Sequence, residues 1–316
     1  MTGSMATQSG VALITALIVV ALVTVITVSA TASQQLELRR TANVLDNDRA
    51  YLFALGAEAW AIQVLAKDAK DNQIDHLKED WTTVIANLPV EGATVSGRGA
   101  DMQGRFNLNN LVDSAGQHSE VDARLFQRLL SVLEIAPELA DAVIDWLDAD
   151  IDVTLPGGAE DSAYLAMKRP YRAANRRFES PSELMLVSGF DRAIYQKLEP
   201  YISALPAHGV AVNVNTAPPE VLRMLGEGIT AADAKELSAT RADNPFDDSE
   251  EFLSQPVLQD KKPEIVTDRA SVSSQYFMVY AETRFGHGRA QLFSLLQRAE
   301  GNSGKVAVVS RGQGTY

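Results

Sequence analysis

VALITALIVVALVTVITVSA, residues 11–30, is an uncharged apolar run that begins immediately after Gly10. About twenty such residues, at about 1.5 Å of rise each, cross a hydrocarbon core of about 30 Å, whereas the core of a secretory signal is about 7–15 residues long. Residues 11–32 therefore read as a membrane helix. Two fates of this end are open. A leader ending at Gly10 is removed, leaving Val11-Ala12-Leu13-Ile14-Thr15 at the start of an intact helix, or a signal peptidase cuts after Ala30-Thr31-Ala32 and releases a soluble chain. The sequence beyond the run favours the first. From Ser33 to about Lys70 there is no proline, Gly56 is the only glycine, and helix-favouring Gln, Leu, Glu, Arg and Ala dominate. Apolar residues at Leu52, Leu55, Ala59, Ile62 and Ala66 step by three and four, which predicts one packed face on a continuous rod.

Composition narrows the classes. In 316 residues, 28 Lys and Arg face 41 Asp and Glu, a net charge of -13 that suits cations and not nucleic acid, whose affinity comes largely from phosphate neutralisation. Apolar residues make up 46% of the chain, enough for real cores. With no cysteine there is no disulfide framework, thiolate metal site or cysteine nucleophile. His76, His118, His208 and His287 are scattered without metal-ligand spacing, and neither a nucleophile elbow nor a phosphate-cradling glycine loop occurs. The enzyme reading rests on Asp145, Asp148 and Glu160 as paired acids, a weak signal for glycoside hydrolysis by a soluble periplasmic protein. A soluble calcium-dependent binding module is the other alternative.

The body of the chain predicts a sheet in two pieces. ATVSGRGA, residues 93–100, and GRFNLN, residues 104–109, read as short strands joined at Asp101. QYFMVYAETRF, residues 275–285, and RAQLFSLLQR, residues 289–298, form an antiparallel hairpin through Gly286-His287-Gly288, followed by a strand at 305–310. Between the pieces lie helical segments at 120–133, 137–148, 182–187, 192–198, 219–225 and 231–239, so an α-helical domain is expected inside a sheet. A weak repeat runs through it: Phe106-Asn107-Leu108-Asn109 and Val212-Asn213-Val214-Asn215 both precede helices, with Asn215 or Thr216 available as an N-cap before Pro218-Pro219-Glu220. Ser180-Pro181-Ser182-Glu183-Leu184 and Val187-Ser188-Gly189-Phe190 resemble helix-hairpin-helix and SAM-like units, here a packing scaffold.

The densest acidic stretch is Asp145-Trp146-Leu147-Asp148-Ala149-Asp150-Ile151-Asp152, followed by Gly157-Gly158-Ala159-Glu160-Asp161. Carboxylates gathered by a turn repel unless a cation or basic side chains offset them, and hard oxygen ligands suit calcium. Asp145, Asp148, Asp150, Asp152, Glu160 and Asp161 are the candidate ligands. The frame is not an EF-hand, because an alignment from Asp148 puts Val153 at the turn glycine and Ala159 at the bidentate glutamate. The alternative is helix capping, with Arg169, Arg172, Arg176 and Arg177 as ion-pair partners. A second cluster, Asp243, Asp247, Asp248, Glu250 and Glu251, reads as a solvated loop or helix N-terminus.

The Gly10 junction, the apolar helix and its amphipathic continuation resemble the start of type IV pilin-like proteins, although residues 1–10 carry no Lys or Arg where such leaders are basic. Thr15 occupies the fifth mature position, where most pilin subunits have glutamate and one pseudopilin class does not. Together with Arg39-Arg40-Thr41-Ala42-Asn43, YLFALGAEAW at 51–60, DWLDAD, GGAED, Pro170 to Asn175 and NVNTAPPEVL, the order resembles the K-type minor pseudopilins of bacterial type II secretion systems over most of the chain.

The resemblance implies an α+β fold: a type IV pilin-like long N-terminal helix and antiparallel sheet, with a large, mostly α-helical SAM-like domain inserted. It divides the chain into a prepilin leader (1–10), a transmembrane part (11–32), a first pilin-like part (33–109), an inserted domain holding calcium (110–272) and C-terminal strands (273–316). It implies processing and methylation at Gly10 and Val11 by prepilin peptidase. The subunit would sit singly in the inner membrane with its globular part in the periplasm. It would assemble with I-type and J-type minor pseudopilins on the major pseudopilin filament, at the tip that meets exoproteins.

Overall fold

The computed structural model describes residues 9–314, the side chains of residues 9 and 262–264 excepted; residues 1–8 of the expected leader lie outside it. Helix α1 runs unbroken from Ser9 to Asp71 as 63 residues, roughly 95 Å at the α-helical rise. Residues 10–45 are exposed along their whole length, and the helix meets the rest of the protein only from Asp46 onward. After it come β1 (Ile85–Val90), β2 (Ala93–Asp101), β3 (Phe106–Asn107), α2 (Glu120–Val132), α3 (Leu139–Leu147), α4 (Asp161–Leu165) and α5 (Arg192–Leu198). Then follow β4 (Ile202–Ser203), β5 (Val212–Asn213), α6 (Pro219–Met224), α7 (Ala231–Asp243), α8 (Ser249–Leu253), β6 (Ala270–Ser271), β7 (Tyr276–Phe285), β8 (Gly288–Arg298) and β9 (Val306–Gln313).

The main sheet is antiparallel in the order β1-β2-β7-β8-β9. Strands β2 and β7 pair continuously from Ala93↔Phe285 to Asp101↔Phe277, although everything from residue 102 to residue 275 lies between them in sequence. The chain leaves the sheet at Asp101 and re-enters it beside the point of exit, where the Met102 amide donates to the Tyr276 carbonyl at 2.9 Å. Alternation along β7 divides its faces. Phe277 and Val279 pack with Leu65, Trp81 and Leu296 under α1, and Ala281 joins Ala54 and Leu292. On the other face, Tyr276, Met278 and Leu295 meet Met102 and Leu205 of the intervening segment.

Three local expectations are corrected. Residues 104–109 do not pair with 93–100; β3 instead forms a two-residue parallel pairing with β4, and β2 pairs with β7 on one side and on the other with β1, a strand the sequence concealed. Pro89 and the positive-φ Asn87 break its pattern, and the register slips between Ile85 and Leu88. The face of α1 only partly follows the predicted stripe: Leu55 and Ile62 pack half-buried on the sheet clusters. Leu52 and Ala59 are exposed, while Ala50, Ala54, Glu58, Leu65 and Ala69 are buried. Small side chains bring the helix close to the sheet, and the buried Glu58 accepts from Arg311 Nη2 at 2.6 Å and Nε at 2.9 Å and from the Ser294 hydroxyl. Finally, Thr216 does not cap α6, whose N-cap is Pro218; its hydroxyl donates to Asp101 at 2.5 Å.

The Asn-rich repeat has a physical counterpart. Asn109 Oδ1 accepts from the Phe178 amide at 2.8 Å and its Nδ2 donates to the Phe178 carbonyl at 3.0 Å. Asn215 grips both backbone groups of Phe246 in the same way, each at 2.9 Å. Each phenylalanine opens a matching turn, Phe178-Glu179-Ser180-Pro181-Ser182-Glu183 and Phe246-Asp247-Asp248-Ser249-Glu250-Glu251. In both, the last glutamate reaches back to the amide of the residue after the phenylalanine, Glu179 at 2.7 Å and Asp247 at 2.6 Å. Of the second acidic cluster, Asp247, Asp248, Glu250 and Glu251 thus form the N-terminus of α8, capped by Asp248, while Asp243 ends α7.

Contacts along α1 fix the direction of the molecule. Asp46 and Asn47 accept from the amides of His287 and Arg289 at the β7–β8 turn, whereas Asp68 lies 2.7 Å from Arg298 at the far end of β8. The body between β2 and β7 therefore emerges at the end of the sheet opposite the apolar half of α1.

Candidate functional site

Helix α3 ends in the acidic stretch. Ala140, Ala142, Val143, Ile144, Trp146 and Leu147 bury it almost completely, so Asp145 on the same helix is buried too. Asp148 is the C-cap, its amide donating to the Ile144 carbonyl at 2.9 Å. The chain then loops back across the helix. The Thr154 amide donates to Asp145 at 3.1 Å, and the Gly157 amide to Asp141 at 3.1 Å. Only glycine fits the return: a Cβ at Gly157 would stand 2.2 Å from the Glu138 carbonyl oxygen, and one at Gly158 2.3 Å from Asp145 Oδ2. Glu160 closes the loop as N-cap of α4.

This fold-back brings Asp148, Asp150 and Glu160 together, with one carboxylate oxygen of each within 4.8 Å of the others. Asp148 Oδ1 and Glu160 Oε1 are buried and have no hydrogen-bond partner. Burial, then the charges of Asp150 and Asp145, pushes the Asp148 carboxyl up to about 6; burial, then Asp145, pushes Glu160 up to about 7. Asp145 stands behind the trio, raised chiefly by burial and bonded to the loop. Two expected ligands lie elsewhere. Asp152 is exposed, giving only its amide to Asp150 Oδ1 at 2.8 Å, and Asp161 accepts from the Ala173 amide at 3.0 Å and pairs with Arg172 at 3.5 Å.

The arginines do not neutralise the trio. Arg176 pairs with Glu179 and Glu183, Arg177 donates to the Pro206 carbonyl, and among the described residues no Lys or Arg lies within 4.0 Å of Asp148, Asp150 or Glu160. Converging oxygens, two of them orphaned in the interior and with no Lys or Arg beside them, fit a hard divalent cation. Sequence reasoning missed Asn175 as a support for this loop. At φ 45°, it binds the Trp146 carbonyl through its amide and the Asp150 carbonyl through Nδ2, leaving its own Oδ1 buried and unpartnered. Its signal was an Asn in a loop, a residue type that tolerates left-handed backbone. Trp146, Tyr164 and Tyr171 pack on one another behind this loop, Trp146 and Tyr164 at 5.2 Å between ring centres.

The remaining functional feature is α1 itself. Its window of mean hydropathy 3.0 is wholly exposed, long enough to cross a membrane, and continuous with a globular body. Gly10 and Val11 lie in its first turns, and the uncharged Thr15 hydroxyl donates to the Val11 and Ala12 carbonyls.

Models of the family described as type II secretion system, protein K match residues 104–207 and 212–273. The chain is 37% identical to type II secretion system protein K of Pseudomonas aeruginosa, over 97% of this chain and 93% of that one. It is 34% identical to the protein of the same name from Klebsiella pneumoniae, over 98% and 97%. Its structure resembles a chain of the GspK-GspI-GspJ complex from the type 2 secretion system of enterotoxigenic Escherichia coli, with a TM-score of 0.75 and 26% identity, covering 88% of this chain and all of that chain.

Proposed function

The chain belongs to the type II secretion system protein K family, the K-type minor pseudopilins, and from that membership we propose that it caps the tip of a periplasmic pseudopilus. It is a structural part of a secretion apparatus, not an enzyme. The observation that carries the tip position is the polarity of the fold. The body between β2 and β7 stands at the end of the sheet away from the apolar half of α1, where a subunit stacked above would have to sit. Thr15 adds to this by withholding a carboxylate from any subunit ahead.

Before assembly, residues 11–32 hold the subunit in the inner membrane with the globular part in the periplasm. Prepilin peptidase cuts between Gly10 and Val11, and N-terminal sequencing of the native protein should begin at Val11; a start at Ser33 would reject an anchored subunit. The neighbour solved as a GspK-GspI-GspJ complex suggests I-type and J-type minor pseudopilins as partners, bound along the exposed α1 and continuing into the major filament. The body between β2 and β7 is read as a SAM-like scaffold of two related Asn-gripped units. Co-purification of the full chain with the I-type and J-type subunits of its own host tests the assembly: a ternary complex is expected, and three folded proteins that do not associate would overturn it.

Calcium is proposed at Asp148, Asp150 and Glu160, with Asp145 fixing the loop. Bound there, the ion would supply the positive charge that no Lys or Arg provides and lock the loop over α3. Asp148→Asn with Asp150→Asn should remove the part of the rise in thermal midpoint that the loop contributes on adding calcium to chelated protein, about 3–6 °C at a concentration about 100-fold above Kd. An undiminished rise would place the ion elsewhere.

A further inference from the structure

A second convergence of carboxylates lies far from the loop of Asp148, where α1, the sheet and the inserted body meet. Asp68 is on the last turns of α1, and Asp75 and Glu79 follow it in the segment leading to β1. One carboxylate oxygen from each lies within 4.8 Å of the others. Opposed ligands of a calcium ion, each at about 2.3–2.6 Å, are separated by about this distance.

The hydrogen bonds show which oxygens are spoken for. Asp75 Oδ2 accepts from the Ser274 amide at 2.6 Å and from Arg298, whose other nitrogen reaches Asp68 Oδ2 at 2.7 Å. Glu79 Oε2 accepts from the Trp81 indole at 2.6 Å and the His76 amide at 3.0 Å, and its Oε1 from Asn72 Nδ2 at 3.1 Å. Asp75 Oδ1 is left over. Its residue is 0% exposed and the atom has no partner, a state that ordinarily costs a buried oxygen about 1–3 kcal/mol.

Nearby charge does not resolve the cluster. Arg298 faces Asp68 and Asp75 and also acts on Asp101, so carboxyls outnumber the one guanidinium buried among them. His76 Nε2 stands 4.0 Å from Glu79 Oε1. Asp101 itself is taken up by the Thr216 and Ser274 hydroxyls, the Gln103 amide and Asn213 Nδ2. Burial, then the Glu79 charge, pushes the Asp68 carboxyl up to about 6, and burial pushes Asp75 up to about 7. Arg298 offsets one of these charges, and the remainder calls for a shared proton or a metal.

We propose that Asp68, Asp75 and Glu79 form a second divalent-cation site, of the hard, calcium-binding kind, with Arg298 as an outer partner of two of its ligands. Such an ion would satisfy Asp75 Oδ1 and tie the end of α1 to both crossing points of the chain, since Asp75 is bonded to Ser274 and Asn213 bridges the Asp75 carbonyl to Asp101. It would set the angle between the rod and the inserted body.

Trp81, bonded to Glu79, provides the readout. In the full chain carrying Asp148→Asn and Asp150→Asn, terbium should emit on indole excitation, calcium should displace it, and Trp81→Phe should extinguish the emission. Asp68→Asn should weaken binding by at least about tenfold. Emission with the same terbium affinity in Asp68→Asn would mean surface binding and overturn the proposal. So would a chain with the loop site removed that retains no calcium by elemental analysis at pH 8 and is stabilised by Asp68→Asn, which would assign a shared proton. If Asp68→Asn does not fold, calcium content decides: about one ion per chain with the loop site removed supports the site, and none overturns it.

Discussion

Single polar residues in apolar surroundings carry much of this fold's specificity. Glu58 sits on the sheet-facing side of α1; burial pushes its carboxyl up, but hydrogen bonds from Arg311 and Ser294, and the Arg311 charge, outweigh that and hold it below the usual range. A folded value below the unfolded one means that Glu58 stabilises fully above about pH 4.5 and ceases to as pH falls through its folded value. Glu58→Gln should cost about 1–3 kcal/mol at neutral pH, by denaturant melts, and remove that part of the acid dependence. Asn109 and Asn215 each fasten the backbone of a distant phenylalanine. Asn215→Ala leaves both backbone groups of Phe246 without these partners and should cost about 2–4 kcal/mol, against less than about 0.5 kcal/mol for exposed Asn302→Ala. The Asn-x-Asn pattern was legible as a repeat, but what each Asn grips was not, because Phe178 and Phe246 lie far along the chain.

Among the elements, those with strong periodicity were readable and those fixed by close approach were not. The β7–β8 hairpin declared itself by alternation around Gly286-His287-Gly288, and α2 and α5 by helical patterns closed with polar N-caps, Ser119 and Asp191. The predicted face of α1 was right at Leu55 and Ile62, which pack on the sheet, and wrong at Leu52 and Ala59, which are exposed. Ala50, Ala54 and Ala69, with Leu65, are the fully buried apolar contacts, and the alanines let the helix lie close on the sheet. Ala54 is fully buried beside Ala281 and Leu292, so Ala54→Leu should lift the helix and cost about 1–3 kcal/mol or more, whereas Leu52→Ala on the exposed side should change the unfolding midpoint little. The acidic loop was legible as a cluster but not as a selection: Asp148, Asp150 and Glu160 converge because Gly157 and Gly158 let the chain fold back, while Asp161 is drawn off by Arg172 and the Ala173 amide.

In the whole molecule, a free rod, a sheet and an inserted body follow one another along a single axis. Residues 10–45 bury nothing, so a chain beginning at residue 33 should unfold within about 1 °C of the full chain in detergent, by thermal melts of the two side by side. The insertion was visible in sequence as helices interrupting strands; the adjacency of its two crossing points was not, since it depends on the pairing of β2 with β7. That adjacency governs how the molecule bears tension. A pull between the far body and the rod enters through the neighbouring ends of β2 and β7, and the covalent path from β2 back to α1 runs through β1 and its preceding segment. The rest of the force must cross between α1, β7 and β8 sideways, through alanine packing, Glu58 with Arg311, and the Arg298 cluster. Sliding the rod along the sheet breaks those contacts together, whereas bending the rod away breaks them one after another, so the subunit resists thrust along its axis far better than tilt.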